Sequence, residues 1–354
     1  MSGDLAVHRL RLSHFRSHKK FEREFDGRPV AIHGANGAGK TNLIEAVSML
    51  SPGRGLRRAR NTDISRLPED IGWKVFAEVS GPDGLREIET GSEGAGRRVL
   101  VDGKVTPQVA LADLVPVLWL TPAMDRLWTE GAAERRRFLD RTTLSLIPGH
   151  GAAAVGYDRA LRERNRLLKD QVRDRGWFEA LEAQMGRFGA EVSRNRLAAI
   201  GRLSRVTVVD AFPVAELGLY GTAWEKEADL VEALRDGRAR DMAAGRSLRG
   251  PHRDDLSAVY AAKGVEARLC STGEQKALLI SLVLANARAV AEDFGAPPLL
   301  LLDEVAAHLD ADRRLALFEQ VCDLGAQAWM TGTGAELFEG LGDRAQWLAL
   351  SGEG

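Results

Sequence analysis

The chain has 354 residues, of which 44% are hydrophobic and 28% charged, and its formal net charge is −1. Its length favours two lobes, and its composition is that of a globular protein. Because the net charge is close to zero, any nucleic-acid surface must come from local clusters of basic residues. The longest apolar run, residues 277–287, is shorter than the roughly 18–20 residues that span a bilayer, and residues 1–20 lack an apolar signal core. We therefore expect a soluble, cytoplasmic protein with no membrane partner.

Apolar patterns in the first third of the chain predict a group of strands around one helix. Alternating or continuous apolar residues predict strands at residues 5–12, 29–33, 73–79, 97–101 and 115–120. The fourth of these is expected to pair with Val105 across the turn Asp102-Gly103. Between the strands, residues 40–50 place apolar side chains at helical spacing.

The middle of the chain has helical periodicity. Apolar residues recur at steps of three and four along residues 178–192, which indicates a helix with one apolar stripe. Residues 152–174 are expected to form its antiparallel partner, with Val155 directed inward. Four arginines of that partner are expected to point largely outward: Arg159, Arg162, Arg164 and Arg166. At about 1.5 Å per residue these helices project only about 35–45 Å, and no heptad repeat is sustained, so a long coiled coil is excluded.

Strand and helix patterns alternate again from residue 256. The expected elements are strands at residues 256–261, 298–303, 326–330 and 346–350 and helices at residues 273–291 and 312–324. The order along the chain is therefore sheet, helical insertion, sheet, which predicts an α/β fold with a helical lobe inserted into it.

A glycine-rich loop, called the P-loop here, carries the strongest chemical signal. Its eight residues fit the phosphate-binding pattern G-x-x-x-x-G-K-[ST]: Gly34, Ala35, Asn36, Gly37, Ala38, Gly39, Lys40 and Thr41. The glycines allow backbone N–H groups to face phosphate oxygens, and the helix that starts near Lys40 directs its positive end to the same place. Lys40 would contact the β- and γ-phosphates of ATP, and Thr41 would bind Mg²⁺.

An acidic pair follows a run of four leucines. Asp303 and Glu304 come directly after residues 299–302, which predict a strand buried on both faces. Carboxylates at such a position are costly to bury without a function. Asp303 is predicted to hold Mg²⁺, and Glu304 is predicted to be the base that orients water. The alternative is an acidic helix start that merely follows a strand.

A third segment lies at the start of the helix predicted for residues 273–291. It is called the cap segment here and consists of Ser271, Thr272, Gly273, Glu274 and Gln275. Taken alone, they form a capping box, an explanation that would suffice for most such sequences. The same geometry also presents N–H groups at a helix N-terminus, which is an anion site. If the cap segment and the P-loop bind one γ-phosphate, they must belong to different subunits, so ATP would join two chains head to tail. His308 and Asp310, in the turn after the acidic pair, would then lie close to the opposing nucleotide.

These three parts, in this order, resemble the ABC-type ATPases and in particular the RecF/SMC group of DNA-handling ATPases. Residue 36 and residues 41–46 match the P-loop style of that group, and residues 10–18 match its opening. Three further segments resemble the RecF family of bacterial repair proteins: residues 122–140, 250–255 and 303–310. The resemblance covers nearly the whole chain. It implies an ABC-type ATPase head at 1–120 and 250–354, and a helical lobe with short antiparallel arms at 121–249.

The segment Gly-Pro-His-Arg-Asp-Asp at residues 250–255 is the most specific piece of this resemblance. Without the family, His252, Asp254 and Asp255 suggest a metal site. No further ligand cluster accompanies them, so a turn with a positional role is favoured.

Two positions differ from the transporter-type ATPases, which carry a glutamine after one strand and a histidine after a later one. At these places the chain has Thr121-Pro122 and Thr331-Gly332-Thr333. The late segment resembles the RecF family, and Thr331 or Thr333 is expected to sense the γ-phosphate through its hydroxyl. Gln108 is a poor substitute for the missing glutamine, whose role stays unassigned. Slow ATP hydrolysis, stimulated by DNA, is expected.

The RecF resemblance implies an ATP-dependent clamp on DNA. ATP would close a homodimer of heads over gapped or junction duplex DNA, and hydrolysis would release it, so that RecA is loaded with the help of RecR and RecO. Phosphate contacts should dominate the binding of DNA. The candidate contacts are Arg57, Arg58 and Arg60, together with the arginines between residues 159 and 166.

Four alternatives are considered. The first is the nucleotide-binding subunit of an ABC transporter, against which the missing glutamine and histidine argue. An SMC-like tether would need heptad repeats, and a nuclease of the overcoming-lysogenisation-defect type would need a further acid-rich domain after the ATPase. A switch that binds but does not hydrolyse ATP is disfavoured by the intact pair Asp303-Glu304.

Overall fold

The computed structural model describes residues 4–94, 96–206, 211–306 and 309–351, so the expected role of His308 falls outside the described residues. The described chain divides into two compact units. The first unit contains the chain up to Asp125 and from Lys276 onward, and the second contains most of the chain between Arg126 and Gln275. Each unit has its own cluster of buried apolar side chains.

Strands and helices follow one another along the chain in three stretches. The first stretch contains β1 (Ala6–Phe15), β2 (His18–Glu24), β3 (Val30–His33), α1 (Lys40–Ser48), β4 (Lys74–Gly81), β5 (Gly84–Glu93), β6 (Gly96–Val101), β7 (Lys104–Val105), α2 (Leu111–Leu114) and β8 (Val117–Leu120). The second contains α3 (Ala132–Leu146), α4 (His150–Lys169), α5 (Arg175–Leu203), β9 (Ala215–Tyr220), α6 (Glu227–Ala244), β10 (Asp255–Tyr260) and β11 (Val265–Glu266). The third contains α7 (Thr272–Phe294), β12 (Leu299–Leu302), α8 (Ala311–Leu324), β13 (Ala328–Gly332) and β14 (Gln346–Ala349). Within the described residues, no helix has both the length and the apolarity needed to cross a membrane.

Two sheets build the first unit in the part of the chain that the structure describes. One is antiparallel, with the strand order β2-β1-β4-β5-β6-β7. The other is parallel, with the order β14-β3-β13-β12-β8. Side chains of both sheets and of α1 share one core, among them Leu10, Ile32, Leu43 and Trp329. The turn predicted at Asp102-Gly103 is confirmed, since β6 and β7 pair directly across it.

The parallel sheet explains why distant segments of the sequence meet. Its central strands are buried on both faces, as the four leucines of β12 predicted, and none of these four is more than 3% exposed. Parallel strands end at the same edge of their sheet. The glycine-rich loop follows β3, the acidic pair follows β12, and Thr331 lies near the end of β13, so all three are brought to one edge.

A three-helix arm dominates the second unit. Helices α4 and α5 pack along each other, as the periodicity predicted, and α6 packs against α5 as a third helix that the sequence pattern did not predict. The 29 residues of α5 correspond to about 44 Å at 1.5 Å per residue, within the expected projection. Two glycines of α5 permit the close approach of α6: a Cβ atom would come within 2.4 Å of Val231 at Gly186 and within 2.5 Å of Leu230 at Gly189.

The second expected domain junction, at 249/250, differs from the boundary between the units, which falls inside α7 at Gln275/Lys276. Strand pairing is the reason. Strand β10 pairs along its whole length with β9, from Asp255↔Tyr220 to Tyr260↔Ala215, and β11 extends this small sheet. The short, partly exposed strand β9 gave no clear period in the sequence. As a result, the sequence pattern did not indicate that β10 lies in the second unit.

Two predictions about the direction of side chains on α4 were wrong. Val155, expected to point inward, is 64% exposed. Arg164, expected to point outward, is fully buried between Glu182 and Asp241. All five of its N–H groups find acceptors: the two carboxylates, Ser247 Oγ and the Leu234 carbonyl. A buried cation is stable there because its partners neutralise it and accept every proton it can donate.

We predict that Arg164→Met destabilises the arm by about 3–5 kcal/mol, because buried Asp241 loses its cation and buried Glu182 keeps only Arg238. Arg162→Met, an exposed position two residues away on α4, serves as the control and should change stability by less than about 0.5 kcal/mol. The measurement is amide hydrogen exchange over α4 and α5. Equal protection in the two variants would show that the buried network does not stabilise the arm.

Candidate nucleotide site

The glycine-rich loop between β3 and α1 is shaped for a phosphate chain. Gly34 adopts φ +150°, and a Cβ atom there would lie 2.2 Å from the Leu350 carbonyl oxygen, so only glycine fits. Gly37 adopts φ +86°, and a Cβ atom there would meet no atom within 4 Å, so the loop is open on this side. Lys40 is 5% exposed, and its Nζ donates to the carbonyls of Gly34 (2.7 Å) and Ala35 (2.9 Å). The third ammonium proton remains for an anion, which fits the predicted role.

The opening strands support this loop from the side. His18 Nε2 lies 3.2 Å from the Gly39 carbonyl oxygen. Burial lowers the pKa of His18, which favours a neutral ring whose Nε2–H donates to that carbonyl. Asn42, one residue past the loop, donates to Ser17 Oγ at 2.8 Å. Residues 17 and 18, which carried the family resemblance, therefore hold both ends of the turn into α1.

A buried carboxylate joins α1 to a basic loop. Glu45 is fully buried and accepts two hydrogen bonds from the Arg16 guanidinium, at 2.9 and 2.7 Å. Arg57 reaches the same carboxylate at 3.5 Å and donates to Asn42 Oδ1 at 2.8 Å. Of the three predicted DNA contacts, Arg57 therefore has a structural role next to the loop. Arg58 and Arg60 are exposed.

The parallel sheet brings Asp303 to the glycine-rich loop. Thr41 Oγ1 donates to Asp303 Oδ1 at 3.0 Å, although the two residues are 262 positions apart in the sequence. One hydroxyl and one carboxylate side by side suit Mg²⁺, which is usually held by one or two carboxylates, waters and the phosphates of the substrate. The described residues contain no cluster of three or more His, Cys, Asp or Glu side chains that could hold a metal by themselves. The donor set therefore fits a metal ion that arrives with a nucleotide.

Glu304 and Thr331 lie next to this pair. Glu304 is half-buried, has the unusual φ of +52°, and donates its backbone N–H to Thr331 Oγ1 at 2.9 Å. Thr331 is 1% exposed and also lies 2.7 Å from Asp303 Oδ1. Thr333, the other residue considered as a sensor of the γ-phosphate, is exposed. The hydroxyl of Thr331 is thus engaged within the protein on both sides.

The cap segment forms the capping box that its sequence predicts. The backbone N–H and hydroxyl of Ser271 both donate to Glu274 Oε2, each at 2.9 Å. Glu274 also pairs with Lys263, and these donors lower the pKa of Glu274 to about 2. Gln275 is buried and donates to backbone carbonyls, whereas Ser271, Thr272 and Gly273 are exposed. The cap segment belongs to the second unit and the P-loop to the first, and the expected pairing of the two between subunits stays a prediction.

Asp310 caps the helix that follows the acidic pair. Its Oδ1 accepts the backbone N–H of Arg313 at 2.8 Å, at the N-terminus of α8, and its side chain is exposed. This contact explains the residue locally. The proximity of Asp310 to an opposing nucleotide stays a prediction.

The segment 250–255 has the positional role that was favoured over a metal site. His252 uses both ring nitrogens: Nδ1 lies 2.7 Å from the Tyr157 hydroxyl and Nε2 3.1 Å from the Ser247 carbonyl. Burial lowers the pKa of His252 to about 4, so the ring is neutral. Asp255 binds Arg135 through two hydrogen bonds, and Asp254 lies 3.4 Å from Arg196. These contacts join helices α3, α4 and α5 to the segment 250–255, which leads into β10.

Two features of the site were missed in the sequence. They are the ring of His18 under the loop and the buried carboxylate of Glu45, which lie in the segments that resemble the RecF/SMC group. Glu45 did have a signal, because an acidic residue among Leu43, Ile44, Ala46 and Val47 interrupts an apolar run and needs a buried partner. No local signal identifies Arg16 and Arg57 as those partners.

Comparison with known proteins assigns the chain to a family. A family model described as the RecF/RecN/SMC N terminal domain matches residues 6–345. The DNA replication and repair protein RecF of Rhizobium meliloti (strain 1021) is 49% identical over 360 residues, covering 97% of this chain and 96% of that protein. The chain belongs to the RecF family. The RecF protein of Agrobacterium fabrum (strain C58 / ATCC 33970) is 47% identical over 371 residues, covering 99% and 98%.

A solved RecF structure has the same fold. The recombination mediator protein RecF with ATP, of the RecFOR pathway, superposes with a TM-score of 0.84 at 22% identity, over 94% of this chain and 93% of that chain. This likeness confirms the predicted α/β fold with an ABC-type ATPase head and a helical lobe. The alternative of a transporter subunit is not favoured, because the full-length relatives are RecF proteins.

Proposed function

We propose that this RecF-family chain binds and hydrolyses ATP at residues 34–41, Asp303 and Glu304, and that the nucleotide controls its grip on DNA during repair. One observation carries the proposal: the hydroxyl of Thr41, the last residue of the P-loop, and the carboxylate of Asp303 meet at 3.0 Å. Its full-length relatives are named DNA replication and repair proteins, which supports DNA as the partner.

Each residue of the site has one task. Lys40 and the N–H groups of residues 34–41 hold the phosphates, and Thr41 and Asp303 hold Mg²⁺. When bound, Mg²⁺ neutralises charge that develops on the phosphates. Glu304 accepts a proton from the attacking water, since its carboxylate follows directly on the metal-binding residue and is half-buried.

A second copy of this chain completes the site in this proposal. The exposed tip of the cap segment offers the positive end of α7, which has 23 residues, to the γ-phosphate bound by another subunit. Since the Ser271 hydroxyl donates to Glu274 in the single chain, it must turn toward the phosphate when the heads pair. ATP therefore acts as the link of a head-to-tail homodimer.

The closed dimer holds gapped or junction duplex DNA, through exposed arginines that include Arg58 and Arg60. Charge-assisted contacts of guanidinium groups with phosphates suit this role. RecR and RecO are proposed as partners, because the solved RecF structure belongs to the RecFOR pathway. The proposal places the protein in the cytoplasm, where the DNA is.

We predict that Glu304→Gln binds ATP as tightly as the unchanged protein but hydrolyses it at least 100-fold more slowly, since general base catalysis contributes about 10²–10⁴. With saturating Mg²⁺ and ATP the variant should sediment as a dimer, and without nucleotide as a monomer. Lys40→Met is the control and should neither bind ATP nor dimerise. A monomeric Glu304→Gln protein with bound ATP would refute the head-to-tail pairing, and undiminished hydrolysis would refute the role of Glu304.

We predict that changing both Arg58 and Arg60 to Glu weakens DNA binding at least about tenfold and leaves ATP binding unchanged. The slope of log Kd against the logarithm of the salt concentration should fall by about 2, because two phosphate contacts are lost. Arg28 and Arg344, whose side chains are 49% and 42% exposed in the same unit, provide a control with the same change of charge. Arg57→Glu is unsuitable, because it removes a partner of buried Glu45. Equal DNA affinity of the test and control pairs would exclude Arg58 and Arg60 as contacts.

A further inference from the structure

Thr331 occupies the strand between the two halves of the nucleotide site. In the parallel sheet, β13 lies between β3, which leads into the P-loop, and β12, which leads into the acidic pair. Strands β3 and β12 are therefore not neighbours in the sheet. A chain of contacts between the P-loop and the acidic pair can run over the end of β13, where Thr331 lies. Thr331 is paired with Ile32 of β3 and follows Met330, which is paired with Leu302 of β12.

The direction of each hydrogen bond at Thr331 follows from chemistry. A threonine hydroxyl has one proton to donate and two lone pairs that accept. The backbone N–H of Glu304, 2.9 Å away, can only donate, so the hydroxyl accepts that bond. Its own proton is left for Asp303 Oδ1 at 2.7 Å, because an ionised carboxylate only accepts. Thr331 therefore joins the metal-binding carboxylate to the backbone of the catalytic residue.

The backbone of Glu304 needs a hydrogen bond that holds it in place. Its φ of +52° lies in the left-handed region, which a residue with a side chain adopts at a cost. Asp303, just before it, still continues the sheet by donating its backbone N–H to the Leu120 carbonyl on the side of β8. The N–H of Glu304 instead bonds to a side chain on β13. The Thr331 hydroxyl thus takes the place of a strand carbonyl where the chain turns out of the sheet.

The same oxygen of Asp303 receives two hydroxyls. Thr41 Oγ1 donates to Oδ1 at 3.0 Å, and Thr331 Oγ1 donates to it at 2.7 Å. Three hydrogen bonds therefore connect the P-loop threonine, the carboxylate, Thr331 and the backbone of Glu304. Two of them run in series, from the Glu304 N–H to the Thr331 hydroxyl and from that hydroxyl to Asp303 Oδ1, and hydrogen bonds in series polarise one another.

We propose that Thr331 is a positioning residue for ATP hydrolysis, whose hydroxyl fixes the backbone of Glu304 relative to Asp303. It does not bind the phosphates, because its only proton is donated to Asp303 and no donor is left for a phosphate oxygen. This replaces the expectation that it senses the γ-phosphate directly. The inference rests on the proposed function, since it assigns a further role within the same site.

The test compares three variants by nucleotide binding and hydrolysis. Thr331→Val removes the hydroxyl at nearly constant volume and should reduce kcat by about 10- to 100-fold, as loss of a supporting partner commonly does, with the Kd for ATP within about threefold. Thr331→Ser restores the hydroxyl and should return kcat to within about threefold. Thr222→Val makes the same exchange at an exposed position of the second unit, outside the nucleotide site, and should have no effect. If Thr331→Val does not fold, Thr331→Ala is the second hydroxyl-free variant.

Two further readouts separate positioning from a merely structural role. In protein without nucleotide, amide exchange of residues 299–306 should accelerate in Thr331→Val and not in Thr331→Ser, since only the former loses the acceptor of the Glu304 N–H. In a Glu304→Gln background, Thr331→Val should cause no further loss of hydrolysis, because the residue acts through Glu304. An additive loss, or a kcat in Thr331→Val equal to that of the unchanged protein, would overturn the inference.

Failure of the proposed function gives a different result. If the unchanged chain itself binds no ATP, or binds it without hydrolysis, the function fails before any variant is compared. The inference about Thr331 fails alone when the unchanged chain hydrolyses ATP and the hydroxyl-free variants do so equally fast.

Discussion

The hydrogen bond between Thr41 and Asp303 is the contact on which the nucleotide site depends. It joins Thr41, the second residue of α1, to Asp303, which directly follows β12. Strand β13 lies between β12 and the strand β3 that leads into the P-loop. Strands that run parallel place their carboxyl ends at one edge, so the bond exists only when the order β3-β13-β12 is correct. A phosphate loop alone could bind an anion. The sheet places the carboxylate of Asp303 beside that loop, where it can help to hold the Mg²⁺ that hydrolysis needs.

Buried charges occur in both units, and each is matched by partners. In the first unit, Glu45 is neutralised by Arg16 and Arg57, which fixes α1 and a basic loop together next to the P-loop. In the second, Arg164 lies fully buried between two carboxylates. Such pairs contribute less to net stability than to a defined arrangement, because desolvation offsets much of their attraction. Removing one member of a pair is nevertheless costly.

The sequence predicted what depends on neighbouring residues and missed what depends on distant ones. The P-loop, the leucine strand before Asp303 and the capping box at Ser271 are each contained within a few residues, so their patterns sufficed. Arg164 was misplaced because its partners lie 18 and 77 positions away, and helical spacing could not show them. The place of β10 in the second unit was not visible in the sequence for the same reason, since its pairing partner β9 carries no strong pattern.

A double-mutant cycle on Thr41 and Asp303 tests the central claim most directly. Thr41→Val, Asp303→Asn and the double variant would be compared for ATP affinity by calorimetry, with and without Mg²⁺. The account predicts that each single change weakens only the affinity measured with Mg²⁺, and that the double variant is no weaker than the worse single one, because the two residues form one metal site. Additive losses, or equal losses without Mg²⁺, would show that the two side chains act independently and would contradict the account.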